Sequence, residues 1–496
     1  MKKLLLIVAT LAMWSAAMAQ GGMVTVAKGN ESKNIEAEAL QNSWYIGRFD
    51  ERDCWLIRED DGPKTFVRED DWQVVSVDLH LRDYGRLELP QTGDCKIVAS
   101  AIDGAFAHVI LVDSSNARKT VVLAATVDMD SLQLVGGALD TLYQCTMEKG
   151  DHTYVWGAVS ADGEYMGLLT LQQFTEKRKY EAEATMFDRE MNELWRKEFP
   201  VGTTSRMAVS NDGEMLTLGY EQNGIEVRFT MNVISGETGD SYVLKINCER
   251  VEDMQIVNIM DRKMICAGLF SPIKSDPEDN LIGGTLSMAF DIDSATITKF
   301  ILRPFQNEDV NILLNKKTKK VQRDSEVPFV TPLASVAMPY GSVLACGHRY
   351  VLRYTNANGT VSTTHFAQGI HLLAMDADGE VRWTRNLRRN DFEKKENDGL
   401  YIALFAQGDT LCLLKSEHPK EPAEYDIAKE SKDLELGDDK CNLVLYRVAE
   451  NGDVTKTVLE KKTKHMLVAA SKREDGSVMM MTRNGKKSRL VELKLE

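Results

Sequence analysis

Apolar and polar residues alternate along most of the chain in runs of five to nine, rich in Val, Leu, Ile, Met, Thr and Tyr. Asp-Gly, Asn-Gly and Gly-Asp pairs punctuate the runs. A period of two puts alternate side chains on opposite faces of an extended strand, and Asp, Asn and Gly supply the turns between strands. A 3.6-residue period is rare; EDVNILLNKKTKK (308–320) is where it predicts a short helix.

Two kinds of turn recur in alternation. The first is short and joins two apolar runs: Asp50, Asp103-Gly104, Asp162-Gly163, Asp212-Gly213, Asp261, Gly341, Gly408-Asp409 and Asp475-Gly476. These eight copies lie about 50 to 80 residues apart, the interval of a propeller blade. The second kind falls between them, at Asp78, Asp128, Asp188, Ser235, Asp291, Asp376 and Ala449. In such turns an Asp side chain bonds backbone N–H groups, and Gly or Asn supplies the positive φ of a tight hairpin. Each unit therefore reads strand A, short turn, strand B, loop, strand C, short turn, strand D.

This pattern predicts an all-β chain: an eight-bladed β-propeller of four-stranded antiparallel blades, with seven blades as the alternative. The last unit has strands A, B and C but no D. The early run GMVTVAK (22–28) is the candidate to complete it, closing the ring by pairing the N- and C-terminal strands. The predicted organisation is a signal peptide at 1–19, an N-terminal segment at 20–41 and a single propeller at 42–496. The A–B and C–D turns then lie at one end of the blades. The long segments all belong to the other end: B–C loops at 272–281, 352–364 and 416–440, and a D–A insertion at 302–333. Long loops on a rigid scaffold are where binding usually resides.

The first residues add a compartment. Lys2 and Lys3, the apolar run Leu4–Met13 and Ala17-Met18-Ala19 before Gln20 read as a secretory signal. No stretch approaches the length of a membrane span, so an exported chain, soluble after cleavage, in the periplasm or associated with the envelope or exterior, is expected. The formal charge of −15 argues against nucleic acid as a partner. Eight Cys lie far apart with no C-x-x-C pair, most of them among strand residues, as buried small hydrophobes would.

The search for chemistry gives no catalytic and no metal-ligating residue. Asp376 and Asp378 occupy two positions of a calcium loop, but Gly379 follows at once and no third ligand is correctly spaced. The eight His form no H-E-x-x-H or H-x-H pattern, although His365, His371 and His348 fall close enough to approach one another. No G-x-S-x-G elbow or phosphate loop occurs, and no cofactor is predicted.

AMDADGEVRW (374–383) resembles the repeat of quinoprotein-like (PQQ-repeat-like) propellers, in which an Ala-x-Asp turn leads through Gly to a docking Trp. The resemblance implies eight blades and Trp383 packed between two of them. ATMFDREMNELW (184–195) is a looser match that keeps Asp188 and Trp195, at the same interval, without the Gly. Thr298 and Lys456 stand where other units would carry the Trp. The C-terminal course also resembles exported bacterial propeller-like proteins of unknown function. Some quinoprotein-like propellers hold a quinone and calcium; here the adjacent cysteine pair and the haem motif C-x-x-C-H are missing. Others are periplasmic docking platforms.

The function read from these features is a non-enzymatic scaffold that binds a protein or envelope component through its long-loop face. The alternative is an enzyme on the propeller axis, a carbohydrate-active hydrolase or lyase or a quinone-dependent dehydrogenase. The candidate interaction residues are the basic Lys316, Lys317, Lys319, Lys320 and Arg323, and the acidic Glu421, Glu424, Asp426, Glu430 and Asp433 of the 416–440 loop. Asp162, Gly163, Asp188, Asp212, Gly213, Asp376, Gly379 and Trp383 are the structural turn residues.

Overall fold

The computed structural model describes residues 24–31, 43–58, 71–116, 118–176, 179–199, 206–274, 280–316, 326–355, 361–394, 401–429, 431–436, 439–485 and 487–495. The predicted signal peptide lies outside them. The chain is all-β and has the blade pattern of a β-propeller. Among the described residues, eight antiparallel sheets of four or five strands follow one another along the chain, with one additional two-stranded ribbon. They span Trp44–Glu88, Cys95–Thr146, His152–Phe199, Arg206–Asn247, Arg250–Pro304, Val330–Glu393, Ile402–Thr463 and Met466–Leu495. The strand Val24–Lys28 is the fourth member of the last sheet, with Val26 opposite Leu493.

Every short turn of the first kind joins the first and second strands of a sheet, and every turn of the second kind joins the third and fourth. Asp376 shows why. Its Oδ1 accepts the N–H groups of Asp378 and Glu380, both at 2.9 Å, while Gly379 sits at φ +77°. Asp188 caps its turn in the same way, accepting the Asn192 N–H at 2.8 Å, but Met191 holds the Gly position at φ +66°. The aspartate cap fixes the turn strongly enough to hold an L-residue in a region that favours glycine.

The sheets stack face to face. From the first sheet to the eighth, the first strand of each touches the first strand of the next. Several of these inner strands carry small residues and a β-bulge, next to Gly47, Ala99, Asn258, Ala334 and Ala469. A bulge increases local twist, which splays the outer strands while the inner edges converge. At Gly157 a Cβ would lie 2.7 Å from the Val98 carbonyl oxygen, so a side chain there would push two sheets apart.

Apolar clusters fill each junction between sheets. One joins Trp55, Val75 and Val77 of the first sheet to Met466, Met479, Met481 and Leu490 of the last. Beside it Arg473 of the last sheet bonds Asp53 of the first, with Nε–Oδ1 at 2.9 Å, and Tyr45 donates to the same carboxylate at 3.1 Å. Glu492 takes another Arg473 hydrogen at 2.5 Å. Asp53 is fully buried; burial pushes its carboxyl up, against the pull of Arg473.

The eight cysteines are all free, six of them buried. Burial pushes the thiols of Cys54, Cys412 and Cys441 up to about 12 and raises Cys266 and Cys346 as well. Two expectations need correction. The predicted 352–364 loop is largely strand, because Gly341–Thr355 and Val361–Asp376 continue the sixth sheet well beyond its neighbours. Its V-L-R-Y-T and V-S-T-T-H-F runs are β-branched and aromatic, and only the Asn-Gly tip between them reads as a turn. The helix is also shorter, Asn307–Leu313, ending near Asn315 at φ +48°.

Replacing Asp53 by Ala leaves Arg473 buried with its main counter-charge gone. The expected loss is about 3–5 kcal/mol in urea unfolding; a loss below about 1 kcal/mol would mean that water replaces the carboxylate there.

Candidate interaction face

The long segments emerge together around the fifth, sixth and seventh sheets and are tied to one another. The fifth sheet's loop pairs with the D–A insertion as a two-stranded ribbon, Leu281 opposite Pro328 and Ile282 opposite Val327. Phe305, Val310, Leu313 and Val327 form a small core over Leu269 and Cys346. The insertion then meets the 416–440 loop through a reciprocal pair: Asn315 Nδ2 donates to the Ser431 carbonyl and Ser431 N–H to Asn315 Oδ1, both at 3.0 Å.

The 416–440 loop is strapped to its neighbour. Leu434 and Glu435 add a short parallel strand to the sixth sheet, opposite Asp391 and Phe392. Tyr425 donates to the Asn386 carbonyl at 2.5 Å, and Arg388 donates to the Ile427 carbonyl at 2.7 Å. Leu434 and Leu436 are buried in the same cluster as Trp55 and Met479. The loop is thus part of the core on one side and solvent-facing on the other.

Beneath it lies a buried polar layer. Asp309 caps the helix by accepting the Gln306 N–H at 2.7 Å, and also accepts from Asn386 at 2.7 Å. Asn386 Oδ1 in turn meets His371 Nδ1 at 2.8 Å, and Phe305 packs edge-on against the imidazole at 5.3 Å. Next to this, Gln368 links His348 at 3.2 Å to Asn390 at 3.0 Å, and Asn390 donates to Asp433. Arg389 pairs with Asp391, Arg483 of the eighth sheet with Glu393, and Glu417 with Lys415 and Lys456. Burial raises the Glu417 carboxyl, but the two lysines outweigh it and hold the group below the ordinary carboxylate range. The ion pairs and amide bonds of this layer tie the insertion and the 416–440 loop to the sheets beneath.

A second feature of this end is a row of rings. His348, Tyr350, Phe366 and Phe392 stack in sequence at 5.0, 4.7 and 5.8 Å, with Lys394 over the last ring at 5.7 Å. Beyond the stack Val351, Leu352, Tyr354 and Val361 are exposed on the hairpin.

The candidate residues divide. Lys317, Lys319, Lys320, Arg323 and Glu430 lie outside the described residues. Lys316 is exposed at the helix end. Glu421 braces the loop from inside, accepting from Ser431 at 3.3 Å and from the Lys432 N–H at 2.5 Å. Asp426 pairs with Lys429 at 3.2 Å, Asp433 with Asn390, and Glu424 is exposed. Among the described residues the insertion touches the 416–440 loop through the neutral Asn315–Ser431 pair. His348 and His371 sit on adjacent strands with separate amide partners. Among the described residues no group of three or more His, Cys, Asp or Glu is placed to hold a metal ion.

The turn residues differ in their bonding, and in the fourth sheet's first turn Ser210 Oγ, not Asp212, accepts the backbone N–H groups of Asp212 and Glu214. Trp383 packs between the sixth and seventh sheets and donates to the Glu450 carbonyl at 2.9 Å, in the next sheet's second turn. Trp195 lies equivalently against Gly236 of the fourth sheet's second turn. Asp162 accepts from Ser160 at 2.6 Å and from the Glu164 N–H at 3.1 Å, Gly163 and Gly213 take φ of +77° and +73°, and Asp212 stands exposed at its turn.

No family model and no curated protein matches the sequence. Solved structures to which the chain is similar include the WD40 domain of SCAP from fission yeast, at 8% identity, covering 95% of this chain and 98% of that one with a TM-score of 0.36. An oligogalacturonate lyase from Vibrio parahaemolyticus aligns at 8% identity over 96% and 98% of the two chains, TM-score 0.36. The β-propeller domain of the Trilobed protease from Pyrococcus furiosus aligns at 13% identity over 69% and 82%, TM-score 0.33. Among the described residues no helix is long and apolar enough to cross a membrane.

The buried histidines set a pH dependence. Burial lowers the basicity of His108, His348, His371 and His465 below the usual 6.5, more than nearby carboxylates and hydrogen bonds restore it. The unfolded chain therefore binds protons that the folded one refuses. Their stabilisation is complete above pH 6.5 and declines as pH falls below it, by up to roughly 1.4 kcal/mol per pH unit for each extra proton. Urea midpoints at pH 7.5 and 5.5 test this: a lower midpoint at 5.5 is expected, and equal midpoints would contradict it.

Proposed function

We propose that the chain is an exported, eight-bladed β-propeller, closed by pairing of its N- and C-terminal strands, that acts as a non-enzymatic scaffold. Its binding surface is the outer side of the joined long loops, where Lys316, Glu424, Lys429, Lys432 and Asp433 are exposed or partly free of the layer beneath. The partner is a protein or envelope component. Export rests on the N-terminal signal pattern, and ring closure is supported by the Val24–Lys28 pairing and by the cluster joining the first and last sheets.

One observation carries the choice of scaffold over axial enzyme. The inner strands of the third to sixth sheets enclose a cavity of about 210 Å³ lined chiefly by Ala158, Val159, Met207, Ala208, Ile256, Val257 and Ala337, with Ser210, Asn211 and Asn258 as its polar members. Acid–base chemistry requires titratable groups at the reacting atom, and the side chains that line this cavity include none.

Two tests follow. Deleting the whole 416–440 loop would remove Leu434, Leu436 and part of the buried layer, so it would test folding instead of binding. The appropriate variant reverses Glu424, Lys429 and Lys432 in place; it should keep the native circular dichroism and lose a partner captured from envelope extract. Retention of that partner would move the binding surface elsewhere. Separately, removing residues 20–28 should lower stability by about 2–4 kcal/mol, because Val491 and Leu493 lose their covering strand. An unchanged thermal midpoint would remove the N-terminal strand from the ring.

A further inference from the structure

The end opposite the long loops has its own geometry. The aliphatic cavity opens beside a second one of about 260 Å³, and the two share Ser210, Asn211 and Ile259. The second is bounded by Asp212, Glu214, Asp261 and Arg262. Arg262 is committed, at 3.1 Å to Asp293 and also to Glu214. Among the described residues neither Asp212 nor Asp261 has an ion-pair partner, and both are exposed. The Asp162 carboxylate, at the third sheet's turn, accepts from a hydroxyl and a backbone N–H of its own turn, and the Asp162 N–H donates to Asn211 Oδ1 at 3.3 Å. The mouth is therefore a mainly aliphatic slot with a rim of net negative charge, on which Asp212, Glu214 and Asp261 outnumber Arg262.

We propose that this mouth docks a basic polypeptide segment, one aliphatic side chain entering the slot while flanking Lys or Arg side chains meet Asp212 and Asp261. Charge complementarity selects the occupant. An acidic rim repels an acidic peptide or an anionic lipid surface, and the aliphatic wall gives a purely polar cation nothing to bury. A slot of about 210 Å³ accepts a side chain of Leu or Met size. This site lies at the other end of the sheets from the long-loop face and does not depend on that reading.

The test is fluorescence anisotropy of the mature protein at low ionic strength with a short labelled peptide of alternating lysine and leucine, beside one of alternating lysine and serine. Saturable binding of the first peptide, weakened by salt, is expected, with at least about tenfold weaker binding of the second. Ala208→Trp fills the slot and should reduce affinity at least about tenfold. The double variant Asp212→Asn, Asp261→Asn leaves the packing untouched and should weaken binding by about threefold per site at low salt. Reversing Glu424, Lys429 and Lys432, which is expected to abolish capture at the long-loop face, should leave the affinity for the lysine–leucine peptide at the wild-type value. Equal binding of both peptides, which marks a nonspecific polycation surface, would overturn the proposal. So would wild-type affinity in either the Ala208→Trp protein, verified as folded, or the double variant, or no saturable binding at all.

Discussion

Sheets stacked face to face must dispose of two end faces. Each internal sheet covers both its neighbours, but the outer faces of the first and last would stand in water with Trp55, Val75, Met479 and Met481 uncovered. The join between these two sheets removes that exposure, and the rest of the architecture depends on it. Burying such side chains is worth roughly 1.5–3 kcal/mol each, so the apolar contact supplies most of the attraction. Arg473 and Asp53 contribute differently. A buried ion pair gains little net energy over an apolar one, but Arg473 reaches the buried Asp53 carboxylate only when the first sheet is in register with the last. The pair acts as a registry device for segments 420 residues apart.

The inner edges impose a complementary limit. Eight sheets converge only where side chains are short, and the alanines, glycines and bulged positions of the first strands are the means. Where the third to sixth sheets converge, the cavity between them is lined mainly by Ala, Val, Met and Ile. Polar density is displaced to the loop-bearing end, where Asp309, Asn386, His371 and Glu417 hold the insertion and the loop in place.

Much of this is legible in the sequence, because its signals are local. An aspartate followed by a turn of three or four residues carries its own hydrogen-bond partners, so Asp162, Asp188 and Asp376 announce their turns without tertiary help. The end on which the long segments emerge follows from counting turns. The buried polar layer is not legible for the opposite reason. Arg388, Arg389, Asp391 and Glu393 form a dense charged run, which in isolation resembles a solvated edge. They are buried because a loop from the next sheet lies across them. The extended hairpin of the sixth sheet was hidden by its Asn-Gly tip, which marks a turn but not the length of the strands it joins. Trp383 shows a middle case: its docking role follows from its motif, whereas its acceptor, the Glu450 carbonyl, belongs to the next sheet.

The free thiols carry a consequence for the life history of the chain. A thiol reacts as its thiolate, and in the folded protein the thiols of Cys54, Cys266, Cys346, Cys412 and Cys441 are both shielded and held protonated. That protection is conferred by sheet stacking and is absent until the stacking is complete. Oxidative damage is then a race between folding and oxidant. In an oxidising compartment a slowly folding molecule would be trapped by chance disulfides, while one already folded would be chemically inert at the same positions.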